Sequence, residues 1–207
     1  MKSMNLPKMS TVRPKYITQK TDNSGEFHNE VKQNFTVPKP NLVWVSDITY
    51  IKVNGMFYYV CVIIDLFSRK VIAYSVNKKI DSDLVIETFK KAYAGRKSPS
   101  NLIFHSDRGS QYTSRKFRKL LDDLNVIQSF SAKGYPYDNA VAESFFKFLK
   151  LEETDRRTYY NKEQLILSLF EYIEGFYNNK RPHSANNMLS PNQKEKLYFD
   201  KLAALKI

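Results

Sequence analysis

Sulfur and imidazole are scarce in this chain of 207 residues: there is one cysteine, Cys61, and there are three histidines, His28, His105 and His183, far apart in sequence. A single cysteine excludes an intramolecular disulfide, and no Cys/His spacing of a zinc site exists. Cys61 sits within the apolar run YYVCVIID, which suits a buried structural thiol better than a nucleophile. Long apolar runs are missing too. The longest, Met56 to Ile64, is too short to span a bilayer as a helix. The stretch MKSMNLPKMSTVRPKY has no apolar centre of the kind a signal peptide needs. These absences lead to the expectation of a soluble intracellular protein.

Negative charge is in deficit. Against 21 Asp and Glu stand 33 Lys and Arg, a formal net charge of +12. Such an excess points to a polyanion as partner: DNA, RNA or an anionic membrane surface. The 14 Phe and 14 Tyr argue against a disordered basic tail, which lacks aromatics. The length fits one domain with extra arms.

Residues 1–39 are polar and basic, with prolines at 7, 14 and 38, and read as an N-terminal arm or linker. From about Pro40 the texture changes. LVWVSDITYIKV is rich in β-branched and aromatic residues and reads as a strand. Asn54-Gly55 is a hairpin turn, FYYVCVIID a second strand covered on both faces, and KVIAYSV a third. The period then becomes helical. Asp81 or Ser82 caps a helix ending near Gly95. NLIFH is a short strand, Thr113 or Ser114 caps a second helix, and VIQSF is a fifth strand. SAKGYPYDN is a loop ahead of the helix AVAESFFKFLKLEE. A longer helix is predicted from about Lys162 to Asn178, with Leu165, Leu169, Ile173 and Phe176 on its stripe. Ser190-Pro191 opens a last helix. The order βββ-α-β-α-β-α-α, with the last helix after it, predicts an α/β fold, a five-stranded mixed sheet flanked by helices.

Three acids occupy positions that ask for an explanation. Asp47 lies mid-strand on the face shared by Val43, Val45 and Ile51, where an unpaired carboxylate is costly; an ion pair and a metal site are equally open to it. Asp107 follows the fourth strand, where ligand sites of open α/β sheets lie, although an Asx turn before Gly109 accounts for it as well. Glu143 shares a helical stripe with Asn139, Lys147 and Lys150, and a solvated Glu–Lys pair explains it alone. Taken together, convergence of the three would form an all-oxygen site suited to Mg²⁺ or Mn²⁺. Two such ions roughly 3.5–4 Å apart can activate an attacking hydroxyl and stabilise a leaving oxygen in phosphoryl transfer.

At these residues the sequence resembles a known family. WVSDITYI, HSDRGSQYTS, SAKGYPYDNAVAESFFKFLK and FYNNKRPHSANNMLSP are similar to blocks of the integrase-type core of bacterial insertion-sequence transposases, specifically the second-frame product of the IS3 family. The 35 residues between Asp107 and Glu143 match the family's spacing. The resemblance implies a ribonuclease H-like fold and a DDE triad of Asp47, Asp107 and Glu143. It implies Mg²⁺, with Mn²⁺ as a substitute, for DNA cleavage at transposon ends and strand transfer by the freed 3′-hydroxyl, with no covalent protein–DNA intermediate. Asp65 also matches a frequent position and reads as structural.

The DNA partner is assigned to Lys147, Lys150, Tyr135, Tyr137 and Asn139: lysines for backbone phosphates, tyrosines for stacking on an unpaired base. A homo-oligomer on DNA, a helix-turn-helix partner from the upstream frame, and a cytoplasmic, nucleoid-associated location are expected with it. The segment MNLPKMSTVRPKY looks like the tail of the DNA-binding region that precedes the core in the family, so a truncated chain is expected. Two rival readings stay open: another ribonuclease H-like nuclease, and a catalytically silent DNA-binding remnant that regulates the full enzyme. His105 reads as a satisfied structural histidine, while Arg108, Arg181 and His183 receive no role.

Overall fold

The computed structural model describes residues 27–132 and 136–205. Its sheet begins with β1 (Val43–Val53), β2 (Met56–Asp65) and β3 (Val71–Asn77), an antiparallel meander. Asn54 and Gly55 both take positive φ, 45° and 79°, which a two-residue hairpin of this hand requires. Helix α1 (Ser82–Gly95) follows, and the Asp81 side chain accepts a hydrogen bond from the Leu84 N–H to cap it. Strand β4 (Ile103–Ser106) then pairs parallel to β1, and β5 (Ile127–Phe130) parallel to β4. The sheet order is β3-β2-β1-β4-β5. The five-stranded mixed sheet expected from the sequence is therefore present.

Between β4 and β5 lie α2 (Ser110–Thr113) and α3 (Arg115–Asp123). The short α2 was not expected, but the Ser114 cap was, and it accepts from the Phe117 N–H. After β5 come α4 (Ala140–Glu152), α5 (Lys162–Phe170) and α6 (Pro191–Ala204). The last opens with a capping box between Ser190 and Gln193.

Strand alternation divides the apolar residues between two faces. Val43, Val45, Ile51 and Val53 pack with Ala142, Phe145 and Leu149 of α4 and Leu165 and Leu169 of α5. Trp44, on the opposite face, packs with Phe89 of α1, Phe104 of β4 and Phe117 of α3. Strand β2, flanked by β3 and β1, contributes to both, through Val60, Val62 and Ile64 on one side and Cys61 and Ile63 on the other. Cys61 is a buried free thiol, as its sequence context predicts.

One helix departs from its sequence reading. The expected α-helix over 162–178 is α-helical only to Phe170, and Glu171–Tyr177 form a π-helix. The wider turn buries Tyr172 and Tyr177, five residues apart, and leaves Phe176 exposed, so the stripe through Phe176 is corrected. It also carries Asn178 to the edge of β3, where its side chain accepts from the Val71 N–H (3.1 Å) and donates to the Val71 carbonyl (3.0 Å). A strict 3.6-residue period would not aim both groups there.

Candidate active site

The register of β1 and β4 places the first two acids. Val45 pairs with His105 in the parallel ladder, so Asp47, inside β1, and Asp107, just past the end of β4, each follow that pair by two residues on adjacent strands. Strands lie roughly 4.8 Å apart, and the charge of Asp107 acts on Asp47. Asp107 stands just past β4, exposed, and its Oδ1 accepts from the Gly109 N–H at 2.9 Å. The Asx turn and the site are thus the same local structure. Gly109 has an ordinary φ of −59°, so conformational freedom is not what the position uses. A Cβ there would stand 3.0 Å from Asp107 Oδ1 and 2.3 Å from the Gln111 amide nitrogen.

Asp47 is half-buried and accepts from the Ile48 N–H at 2.8 Å. Burial pushes its carboxyl up to about 7; the charges of Asp107 and Glu143 push the same way, and Lys150 pulls it down. The two carboxylates that bear on Asp47 are the two that the sequence pairs with it.

Glu143 comes from α4, whose apolar face (Ala142, Phe145, Phe146, Leu149) is buried and leaves Glu143 and Lys147 exposed. Two residues before the helix fix its start. Asn139 is buried and its Nδ2 donates to the Ser46 carbonyl at 3.1 Å, one residue from Asp47. Asp138 accepts from the Ala132 N–H, Asn29 Nδ2 and Gln33 Nε2, each at 2.8 Å. Asn139 therefore faces the sheet, which corrects its assignment to DNA; it positions α4 against β1. Asp138 was missed in the sequence because its partners Asn29 and Gln33 lie over a hundred positions away. Tyr135 lies outside the described residues, as does the side chain of Tyr137. The Lys150 ammonium sits 5.0 Å over the ring of exposed Tyr50, a ring that sequence reading had not singled out.

The remaining residues have structural partners. The His105 ring bonds Ser129 Oγ (2.8 Å) and Ser131 Oγ (3.2 Å), and burial lowers it to about 4. It is the satisfied histidine expected. Arg108 Nε donates to the Ser131 carbonyl at 3.0 Å. Fully buried Asp65 accepts from the N–H groups of Asn41 and Phe67, in agreement with a structural reading. Arg181 pairs with Glu152.

The donor set Asp47, Asp107 and Glu143 is all carboxylate oxygen, the chemistry a hard divalent cation takes. Among the described residues no group of three or more His, Cys, Asp or Glu side chains is gathered tightly enough to hold a metal ion as it stands. No described helix is long and apolar enough to cross a membrane.

Comparison with known proteins adds the family. Two family descriptions, both named integrase core domain, match residues 37–136 and 124–191. The transposase of insertion sequence IS904 from Lactococcus lactis is 39% identical over 168 residues, 81% of this chain and 66% of that protein. Transposase InsF of IS3A from Escherichia coli K12 is 40% identical over 167 residues, 81% of this chain and 58% of the relative. A Lactococcus lactis protein named as an ATP-dependent protease is 55% identical over 113 residues, but these make up only 36% of it. None of the six glycines here forms the G-x-x-x-x-G-K-S/T loop of a P-loop ATPase. The chain thus spans about a third to two thirds of the curated relatives it matches. Among solved structures, a chain of the simian T-cell lymphotropic virus intasome superposes with a TM-score of 0.63 at 20% identity, over 77% of this chain and 56% of that one. The HTLV-2 integrase catalytic core in complex with magnesium superposes with 0.51 at 20% identity, over 76% and 96%. At these identities the likeness shows the ribonuclease H-like fold.

Proposed function

The chain belongs to the integrase core domain family, among the insertion-sequence transposases of IS3 type, and from that premise we propose that it is a DDE transposase core acting on DNA. The observation that carries this is placement: the parallel β1–β4 register sets Asp47 and Asp107 on neighbouring strands, and Asn139 ties the start of α4, which bears Glu143, to the residue before Asp47. Three acids, two of whose charges act on the third, in a chain of net charge +12 favour a divalent cation between them and a phosphate substrate.

Asp47, Asp107 and Glu143 would hold that ion, Mg²⁺ with Mn²⁺ as a substitute; when bound it supplies activation of the attacking hydroxyl and stabilisation of the leaving oxygen. The chain's own groups do the rest. Asn139 and Asp138 fix the start of α4 and so the reach of Glu143. Lys147 and Lys150 offer positive charge beside the acids for backbone phosphates. In the first step water attacks the phosphodiester at a transposon end, and the strand leaves with a free 3′-hydroxyl. In the second that hydroxyl attacks a target phosphodiester, and the target's own 3′-oxygen leaves. Asp107 and Glu143 are exposed, open to a duplex rather than enclosed around a small molecule. Partners under this reading are transposon-end and target DNA, further copies of the chain, and the upstream-frame helix-turn-helix protein, with a cytoplasmic, nucleoid-associated site of action.

Incubation with transposon-end DNA and Mg²⁺ or Mn²⁺ tests it. Ion-dependent nicking or strand transfer is expected, and Asp107→Asn should abolish it. Equal activity of the variant would remove Asp107 from the triad. Binding without cleavage under every ion condition would leave the silent regulatory fragment as the better account.

A further inference from the structure

A second feature of α4 lies beside the acids. Val141, Ser144 and Phe148 fall on the face next to the Glu143–Lys147 stripe and form one wall of a cavity of about 470 Å³. Arg69, from the β2–β3 turn, and Arg181 and His183, from the segment before α6, close the other side. The volume is in the range of small-molecule and nucleotide sites.

The polar groups of this cavity are not balanced from within. Arg181 is neutralised by Glu152, through Nε to both carboxylate oxygens (3.1 Å each) and Nη2 to Oε1 (2.9 Å). Its guanidinium lies 3.9 Å from the Phe148 ring centroid. Arg69 makes no salt bridge among the described residues, although the charge of Asp65 acts on it from further off. Its Nη2 donates to the Phe35 carbonyl at 3.0 Å, while its Nη1 is buried with no partner. Its backbone is held at a φ of +64°, a region a non-glycine residue adopts at a cost. His183 stands edge-on to Tyr177, centroids 4.8 Å apart, and its Nε2 is likewise buried and unpartnered. The buried, unsatisfied Arg69 guanidinium N–H is costly unless an acceptor arrives, and in the tautomer of the neutral His183 ring that carries its proton on Nε2 the same holds there. An anion would serve both, and the Phe148 ring offers a flat apolar surface alongside.

We propose that this cavity binds a backbone phosphate of the DNA strand lying over α4, with Arg69 and His183 as hydrogen-bond donors and Phe148 as the wall for the attached nucleotide. The site rests on the reading of the chain as a DNA-acting core. It extends that reading from the scissile position to a neighbouring phosphate, so one helix positions both the acids and the strand they act on.

The test is fluorescence anisotropy of the full chain with a fluorescein-labelled duplex of mixed sequence, titrated across salt concentrations. Arg69→Gln should weaken binding about tenfold or more and make the slope of log K against log salt shallower by about one contact. Ala185→Glu, in an exposed turn at the cavity rim, should weaken binding in the same direction while leaving the circular dichroism spectrum intact. The His183 ring ¹⁵N signals should shift on addition of duplex. Unchanged affinity and slope in both folded variants, with wild type still binding, would overturn the cavity assignment alone. So would a His183 signal that responds to a deoxynucleoside monophosphate or inorganic phosphate and not to duplex. Failure of the wild-type chain to bind duplex at all would take down the DNA reading, and this site with it.

Discussion

If Asp47 belongs to the proposed triad, it is placed where chemistry gains and the fold loses. Its carboxyl is raised to about 7, first by burial and then by Asp107 and Glu143. For an acid whose folded pKa exceeds its unfolded value, stability is greatest below the unfolded pKa, near 4, and is lost as pH rises through the folded one. The metal-free protein therefore carries an ionised, poorly solvated Asp47 above pH 7. Asp47→Asn should abolish DNA cleavage yet stabilise the metal-free fold by roughly 1–3 kcal/mol at pH 8, a gain that shrinks toward zero near pH 4. Urea denaturation in the presence of a chelator, at several pH values, measures it; a variant less stable than wild type at pH 8 would contradict the assigned burial cost. Gly109 poses the complementary case. Its φ is ordinary, so Gly109→Ala should leave the melting temperature within about 2 °C while lowering cleavage, because the new methyl crowds Asp107 Oδ1 and the Gln111 side chain. Equal losses of stability and activity would mean that the glycine serves the turn rather than the acid.

At the scale of elements, the legible parts were those encoded by neighbours in sequence. Alternation marked β1, an unbroken apolar run marked β2, and Asn54-Gly55 marked their hairpin; Asp81 or Ser82, Thr113 or Ser114, and Ser190 marked helix starts, which the structure caps through Asp81, Ser114 and Ser190. Asp47 was legible as a candidate because it broke the apolar face of a strand; Asp107 and Glu143, each explained locally, became candidates only when the three were taken together and the spacing of the last two matched a family. What could not be read depended on distant partners. Asn139 looked like part of a polar helical stripe, but its side chain turns to the Ser46 carbonyl across 93 positions. The π-helix of Glu171–Tyr177 has no periodic signature, because Asn178 reaching Val71 is settled by tertiary packing. That contact carries its own prediction. Val71 opens β3, an edge strand of the sheet, and the Asn178 amide satisfies both its N–H and its carbonyl. Asn178→Ala should cost about 2 kcal/mol in urea unfolding and raise hydrogen exchange at Val71 above that of the central strand. A change below about 0.5 kcal/mol would show that water replaces the side chain without loss.

For the whole molecule, the question is how a chain of net charge +12 presents its acids to a polyanion. The basic excess predicts salt-sensitive binding: six to ten phosphate contacts would lose about 10³–10⁵ in affinity between 50 and 200 mM salt. The acids oppose that attraction locally. Asp107 and Glu143 are exposed, and without a cation their charges repel any phosphate brought between them and Lys147 or Lys150. Two opposite consequences follow from one placement. In a chelator, Asp107→Asn and Glu143→Gln should bind duplex DNA more tightly than wild type, by a few-fold at 50 mM salt, since a unit charge near the surface is worth on the order of 1 kcal/mol at contact distance. With millimolar Mg²⁺ the order should reverse, because on the proposed reading only wild type retains the complete set of oxygens for an ion that would screen the phosphate. Anisotropy titrations of the three proteins, with and without Mg²⁺, read both arms at once. If the variants and wild type bind alike in chelator, the DNA does not pass over the carboxylates, and the path from the basic surface to Asp47 must be redrawn.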